Sequence, residues 1–287
     1  MTQDLSLPRY AVIGNPVEHS RSPQIHALFS AQTGKPLQYE RLLAPLDGFA
    51  ATVQAFREQG GLGLNVTVPF KEAARDLAGE HLSERARLAG AVNTLWLRDG
   101  QWHGCNTDGV GLVSDLLRLG VVLEGARVLL VGAGGAARGV LQPLADAGCA
   151  RIQIVNRNAQ RAHDLAASWA AAGARPGTHV TAGALSEART PGGWNVVVNA
   201  TASSLQGAAP ELPKQLYAPD ALAYDMMYAP HPTPFMRQAT ADGAARTADG
   251  LGMLVGQAAE SFLIWHGVRP DPSPVLTTLR AALLAQG

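Results

Sequence analysis

At 287 residues the chain exceeds the roughly 100–200 residues of a usual single domain, so two domains are expected. Hydrophobic residues make up 47% and charged residues 16%, with 23 Lys+Arg against 23 Asp+Glu; this excludes a largely disordered chain and a basic nucleic-acid binder. No apolar segment reaches the ~18–20 residues that span a bilayer, and the two cysteines, Cys105 and Cys149, form neither CxxC nor Cys/His spacing, so no membrane partner, disulfide framework or metal site is expected. The opening MTQDLSLPRY carries an acid and lacks the apolar core of a secretion signal, which points to a cytoplasmic protein.

Strand and helix patterns then alternate, as in α/β domains with parallel sheets. RYAVIG (9–14) reads as a first buried strand. SPQIHALFSAQTG (22–34) reads as a helix with Ser22 at the N-cap, Pro23 at the first helical position and Gly34 at its end. A strand over 37–44, a helix over 47–60 and a strand over 63–68 follow. Helix 110–120 opens a second unit, with strand, turn and helix over 126–148 and further strands at 151–156, 194–201 and 221–228. The tail from residue 249 is helical. The domains are expected at 1–109, rejoined by 251–287, and at 110–250.

VLLVGAGGAARG (128–139) is the strongest local signal. Gly132, Gly134 and Ala137 match G-x-G-x-x-G/A between an apolar strand and a helix. Gly132 permits the tight turn, Gly134 admits a pyrophosphate close to the backbone, and Ala137 lets helix and strand pack closely. A dinucleotide-binding Rossmann domain is the expectation. NAD-preferring sites place an acid about 20 residues on, at the end of the next strand. Here that place holds Asn156, Arg157 and Asn158, with Arg161 close behind. Arginines suit a 2′-phosphate, so NADP is the expected cofactor.

In the first unit, Ser20 and Ser22 sit two residues apart ahead of a helix. They read either as turn and cap chemistry or as a lip for a small hydroxylated anion. NVTVPFK ends on Lys71, either a solvated charge closing a strand or a group that handles protons. His19, His26, His103 and His266 lack ligand spacing and read as structural or exposed.

GNPVEHSRSP, NVTVPFK, AGAVNTL, NTDG, VGAGGAARG, DMMY…TPF and DGLGMLVGQA occur in this order over nearly the whole chain. Together they resemble the NADP-dependent shikimate dehydrogenase family. The resemblance implies an N-terminal α/β substrate domain with a mainly parallel sheet, a Rossmann domain, and a helical segment returning to the first domain, with the active site in a cleft between them. It implies reversible reduction of 3-dehydroshikimate to shikimate by NADPH. Ser20, Ser22 and Thr67 would hold the substrate carboxylate end. Lys71, Asn93 and Asp108 would contact ring hydroxyls and the reacting oxygen, with Lys71 and Asp108 as the catalytic acid–base couple. Tyr228 and Gln257 would complete the pocket.

On the cofactor side, the resemblance implies Gly132, Ala133, Gly134, Gly135 and Ala136 at the pyrophosphate. Asn156, Arg157, Asn158 and Arg161 would lie at the adenosine phosphate, and Met226 and Gly250 near the nicotinamide. Glu84 is a lesser cofactor-side position. Two features depart from the family pattern: Asn158 stands where threonine is frequent, and ASSLQG after Thr201 is longer than usual. Two alternatives stay open. One is a quinate/shikimate dehydrogenase using NAD(P); the other is a non-catalytic NADPH-binding regulatory module. A monomer or homodimer is expected.

Overall fold

The structure, a computed structural model, describes residues 7–172 and 176–285. The chain divides into two compact units. The first runs to Thr107 and takes in Gln257–Val275; the second comprises Asp108–Gly256 and the segment from Leu276 onward. The changeovers at 107/108 and 256/257 differ from the expected 109/110 and 250/251. The end of the tail groups with the second unit rather than the first. Arg280 explains this, because its guanidinium pairs with Asp249 and also donates to the Ala229 carbonyl, both in that unit.

The first unit begins with β1 (Arg9–Gly14), α1 (Ser22–Thr33), β2 (Gln38–Leu43), α2 (Phe49–Glu58) and β3 (Gly61–Val66). It continues with α3 (Lys71–Ala78), α4 (Glu84–Ala89), β4 (Thr94–Arg98) and β5 (Gln101–Cys105). The sheet order is β2-β1-β3-β4-β5. β1 pairs parallel with β2 and β3, while β4 and β5 add an antiparallel hairpin. β1 lies inside the sheet between β2 and β3 and is buried along nearly its whole length, as strands covered on both faces are. Ile13, Phe49, Val53, Phe56, Leu64, Phe70 and Leu95 form the core on one face.

Two local expectations shift here. Ser22 is the first residue of α1, and Arg21 holds the N-cap position without a side-chain cap bond. The strand expected to reach residue 68 ends at Val66. The Phe70 amide turns back to the Thr67 carbonyl, and Pro69 has no amide hydrogen to continue a ladder. Lys71 therefore opens a helix rather than closing a strand.

The second unit holds α5 (Asp108–Arg118), β6 (Arg127–Val131), α6 (Gly135–Asp146), β7 (Arg151–Asn156), α7 (Ala159–Ala171) and β8 (His179–Ala184). Then come β9 (Trp194–Asn199), β10 (Tyr217–Asp225), α8 (Pro234–Ala241) and β11 (Arg246–Asp249). The order β11-β10-β9-β6-β7-β8 is parallel throughout. Counted from β6 it reads 3-2-1-4-5-6, the doubly wound dinucleotide-binding order, whose switch point lies between β6 and β9. Core residues cover both faces of this sheet, with Val128, Leu130 and Ile154 on one and Leu129, Val131 and Val197 on the other. The tail forms α9 (Leu251–His266) and α10 (Pro272–Leu284). No described helix is long and apolar enough to cross a membrane.

In the first unit, Glu260 of α9 is buried between two arginines. Arg85 reaches it at 2.9 Å, and Arg269 pairs with its other oxygen. Burial pushes the Glu260 carboxyl up, but the two guanidiniums outweigh it and hold it below the ordinary value of 4.5. A depressed folded value adds stability above the unfolded value, lost as pH falls through the folded one. Thermal stability should therefore decline below about pH 4.5 in part through this group. Glu260→Gln should cost about 2–3 kcal/mol near neutrality, below the ~3–5 kcal/mol of fully buried pairs because both arginines reach solvent. It should also flatten the acid limb of a pH–Tm profile. An unchanged acid limb would assign the loss to other groups.

Candidate functional site

In the first unit, the side chains expected to bind substrate gather at the carboxyl ends of β1 and β3. The Thr67 amide donates to the Ile13 carbonyl at 3.0 Å. Its methyl lies 2.4 Å from where a Cβ on Gly14 would stand, so only glycine fits beside it. The turn after β1 carries Ser20, whose hydroxyl donates to Ser22 Oγ at 3.2 Å. Arg41 clamps the Ser20 carbonyl with two bonds of 2.7 and 3.1 Å. Lys71 lies one turn beyond Thr67, and its carbonyl accepts from the Val92 amide at 2.9 Å, next to Asn93.

Asn93 is nearly inaccessible, at 3% exposure. Its Oδ1 accepts from the Thr107 amide at 2.8 Å, and its Nδ2 donates to Thr107 Oγ1 at 2.9 Å and to Gln257 Oε1 at 3.3 Å. Asn93 and Gln257 thus meet within this unit. Cys105 is buried and burial pushes its thiol up, which suits a packing residue and not a nucleophile.

The second unit carries Asp108 at the first position of α5, where it is buried. Tyr228 lies in the loop after β10 and is half-buried. Met226 and Gly250 are neighbours: a Cβ on Gly250 would come within 2.1 Å of the Met226 carbonyl oxygen.

At the carboxyl ends of β6 and β9 opens a cavity of about 690 Å³. Gly132, Gly134, Gly135 and Ala136 form one wall, Asn156, Arg157 and Arg161 another, and the loop from Ala200 to Ser203 a third. Gly132 has φ +111°, and a side chain there would press on Thr201 and Ala200. Gly134 and Gly135 have no protein atom within 4 Å of a would-be Cβ, so the turn offers bare backbone to the cavity. Gly135 also begins α6, whose first N–H groups favour an anion. Two arginines against one glutamate, Glu211, leave the lining cationic. The residues present fit a dinucleotide bearing an extra phosphate.

Three expected cofactor residues stand differently. Asn158 caps α7, accepting from the Gln160 amide at 3.0 Å, and is not part of the cavity wall. Ala133 is buried beneath the turn. Glu84 opens α4 in the first unit and is exposed. Among the described residues no group of three or more His, Cys, Asp or Glu could hold a metal.

Three family profiles match the chain: the shikimate dehydrogenase substrate binding domain over residues 12–95, shikimate / quinate 5-dehydrogenase over 116–206, and the shikimate 5′-dehydrogenase C-terminal domain over 250–280. The shikimate dehydrogenase (NADP(+)) of Bordetella petrii is 89% identical over 286 residues, covering 100% of both chains. The chain belongs to the shikimate dehydrogenase family. The Bordetella avium shikimate dehydrogenase (NADP(+)) is 71% identical, again over 100% of both. The shikimate 5-dehydrogenase of Thermus thermophilus, solved in complex with NADP(H) and shikimate, is 35% identical with a TM-score of 0.83, over 96% of this chain and 100% of that one.

Two residues that shape the site of this shikimate dehydrogenase family member were not singled out from the sequence. Asp225 is fully buried, and its carboxylate accepts from Asn199, the Met227 amide, Ser204 and Thr233. Asn199 in turn accepts from the Thr201 amide and hydroxyl at 3.1 and 2.7 Å. Together they fix the loop lining the cavity and the start of the Met226–Thr233 segment. The signal was present, since both residues end strands of a parallel sheet, where ligand loops begin.

Proposed function

We propose that this chain catalyses the reversible reduction of 3-dehydroshikimate to shikimate with NADPH, as a cytoplasmic enzyme. The observation that carries the reading is full-length identity of 89% to a shikimate dehydrogenase (NADP(+)). The cationic, glycine-walled cavity supports it.

Ser20, Ser22 and Thr67 anchor the substrate carboxylate from the ends of β1 and β3. Asn93 presents its amide to the ring hydroxyls, and Gln257 and Tyr228 complete the pocket. Lys71 donates a proton to the carbonyl oxygen as that oxygen gains negative charge, and takes it back in the oxidation direction. Asp108 orients Lys71 and the neighbouring substrate hydroxyl. General acid–base catalysis of this kind is worth about 10²–10⁴-fold. NADPH, when bound, would supply the hydride for the carbonyl carbon. Gly132, Gly134, Gly135 and Ala136 would hold its pyrophosphate and Arg157 and Arg161 its 2′-phosphate. Met226 and Gly250 would border the nicotinamide.

The test is one absorbance assay of reduced nicotinamide, crossing shikimate and quinate with NADP⁺ and NAD⁺. Turnover should be fastest with shikimate and NADP⁺. Faster turnover with quinate and NAD⁺ would instead favour the quinate/shikimate type. NADPH binding without turnover of either substrate would make the chain a sensor.

A further inference from the structure

The carboxyl edge of the second sheet carries two aspartates in register. Asp225 ends β10, Asp249 ends β11, and the two are partners in the parallel pairing of those strands. Asp225 is held by its neighbours Asn199, Ser204 and Thr233. Asp249, also buried, is held by an arginine of the C-terminal helix. α10 buries Leu279 and Leu283, one turn apart, and Arg280 beside them reaches the sheet edge.

The Arg280 guanidinium forks onto both oxygens of Asp249: Nη1 donates to Oδ2 at 2.9 Å and Nη2 donates to Oδ1. Nη1 also donates to the Ala229 carbonyl at 3.3 Å. One side chain therefore spans two loops, the one after β10 and the one after β11. The loops are tied to each other as well. The Gly250 amide donates to the Met227 carbonyl at 3.0 Å, and Asp249 Oδ1 accepts from the Leu251 amide at 3.2 Å. Gly250 is thus fixed through both neighbours while it packs on the Met226 carbonyl. The Met227 amide donates to Asp225 Oδ1 at 3.1 Å, so the stretch from Met226 to Ala229 is anchored by Asp225 near its start and by Arg280 at its end. The Arg280 side chain is 35% exposed and lines a second cavity, of about 670 Å³, with Ala229, Met236 and Asp249. None of these four residues lines the glycine-walled cavity.

We propose that Arg280 is a positioning residue for hydride transfer: by clamping Asp249 and Ala229 it holds the Met226–Ala229 loop and the Gly250 turn together as the seat of the nicotinamide ring. The inference rests on the functional reading above, which sets Met226 and Gly250 beside that ring. Arg280 acts on alignment and not on affinity, because the phosphate contacts of the dinucleotide lie in the other cavity.

Arg280→Ala should lower kcat for shikimate oxidation about 5- to 20-fold, since a misplacement of about 1 Å can cost ~10²-fold and losing the clamp loosens the seat without removing it. KM for NADP⁺ and for shikimate should stay within about threefold, the sign of an interaction that matters in the transition state. In the reduction direction, the isotope effect on kcat with NADPH deuterated at the transferred C4 position should rise, because hydride transfer becomes slower relative to product release. Guanidinium chloride well below denaturing concentrations should restore much of the lost kcat, because the second cavity opens onto the vacated slot, and sodium chloride at equal ionic strength should not. Arg280→Lys keeps the charge but not the fork and should also lower kcat. An unchanged kcat and isotope effect in Arg280→Ala, measured well below its Tm, or in Arg280→Lys should the alanine variant not fold, overturns the positioning role while leaving the activity intact. A rise in KM for NADP⁺ at unchanged kcat overturns it as well. A wild-type chain that does not oxidise shikimate with NADP⁺ overturns the inference together with the functional reading.

Discussion

Lys71→Ala should lower kcat for shikimate oxidation by about 10²–10⁴-fold while KM for shikimate changes far less. The expected split follows from where the proton moves. The alkoxide oxygen gains charge only as hydride transfers, so a donor placed there stabilises the transition state more than bound substrate. Lys71 suits such placement because it opens a helix, with its backbone tied to Val92 and hence to the strand entrance that carries Asn93. Substrate affinity should rest mainly on Ser20, Ser22, Asn93 and Gln257, which the variant leaves untouched. Steady-state kinetics in both directions would check this. A variant with unimpaired kcat removes Lys71 from the chemistry.

A double variant, Arg157→Ala with Arg161→Ala, should raise KM for NADP⁺ about 10- to 100-fold and leave KM for NAD⁺ nearly unchanged. Hydrogen bonds to a charged partner contribute about 1.5–3 kcal/mol each when well formed; both arginines are solvent-exposed, which lowers each to about 0.7–1.4 kcal/mol. With the arginines removed, Glu211 is the remaining charge among the lining residues, and it repels a phosphate. The preference between the two dinucleotides should therefore collapse. Equal loss with both cofactors would mean that the arginines support the fold of the cavity rather than recognise the 2′-phosphate.

The parallel core of the second unit was legible because strands buried on both faces read as continuous apolar runs, as in VLLV and VVV. The glycine turn was legible for a similar reason, since few sequences place small residues at those intervals between strand and helix. Edge elements were not. β8 and β11 are half-exposed at the sheet margins, and β11 is four residues long, so neither shows a periodic pattern. The β4–β5 hairpin carried a usable sign in Asp99-Gly100, both at positive φ, as a two-residue hairpin turn requires.

Within the candidate site, Asn93, Lys71 and Asp108 were named through family resemblance, because nothing in local spacing ties residues so far apart. Asn158, expected at the adenosine phosphate, caps α7 through its Oδ1, a role no spacing rule separates from phosphate binding by its amide hydrogens. No sequence pattern gives Asn65 a role, because its partners include residues as distant as Tyr39 and Ser261, which only the fold brings together.

The most direct test of the proposed chemistry is a kinetic cycle of Lys71→Ala, Asp108→Asn and the two combined. Groups that act as one unit lose their effect together, so the combined variant should be about as slow as Lys71→Ala alone. If the two losses instead multiply, or Asp108→Asn turns over at the wild-type rate, Lys71 and Asp108 do not work as an acid–base couple.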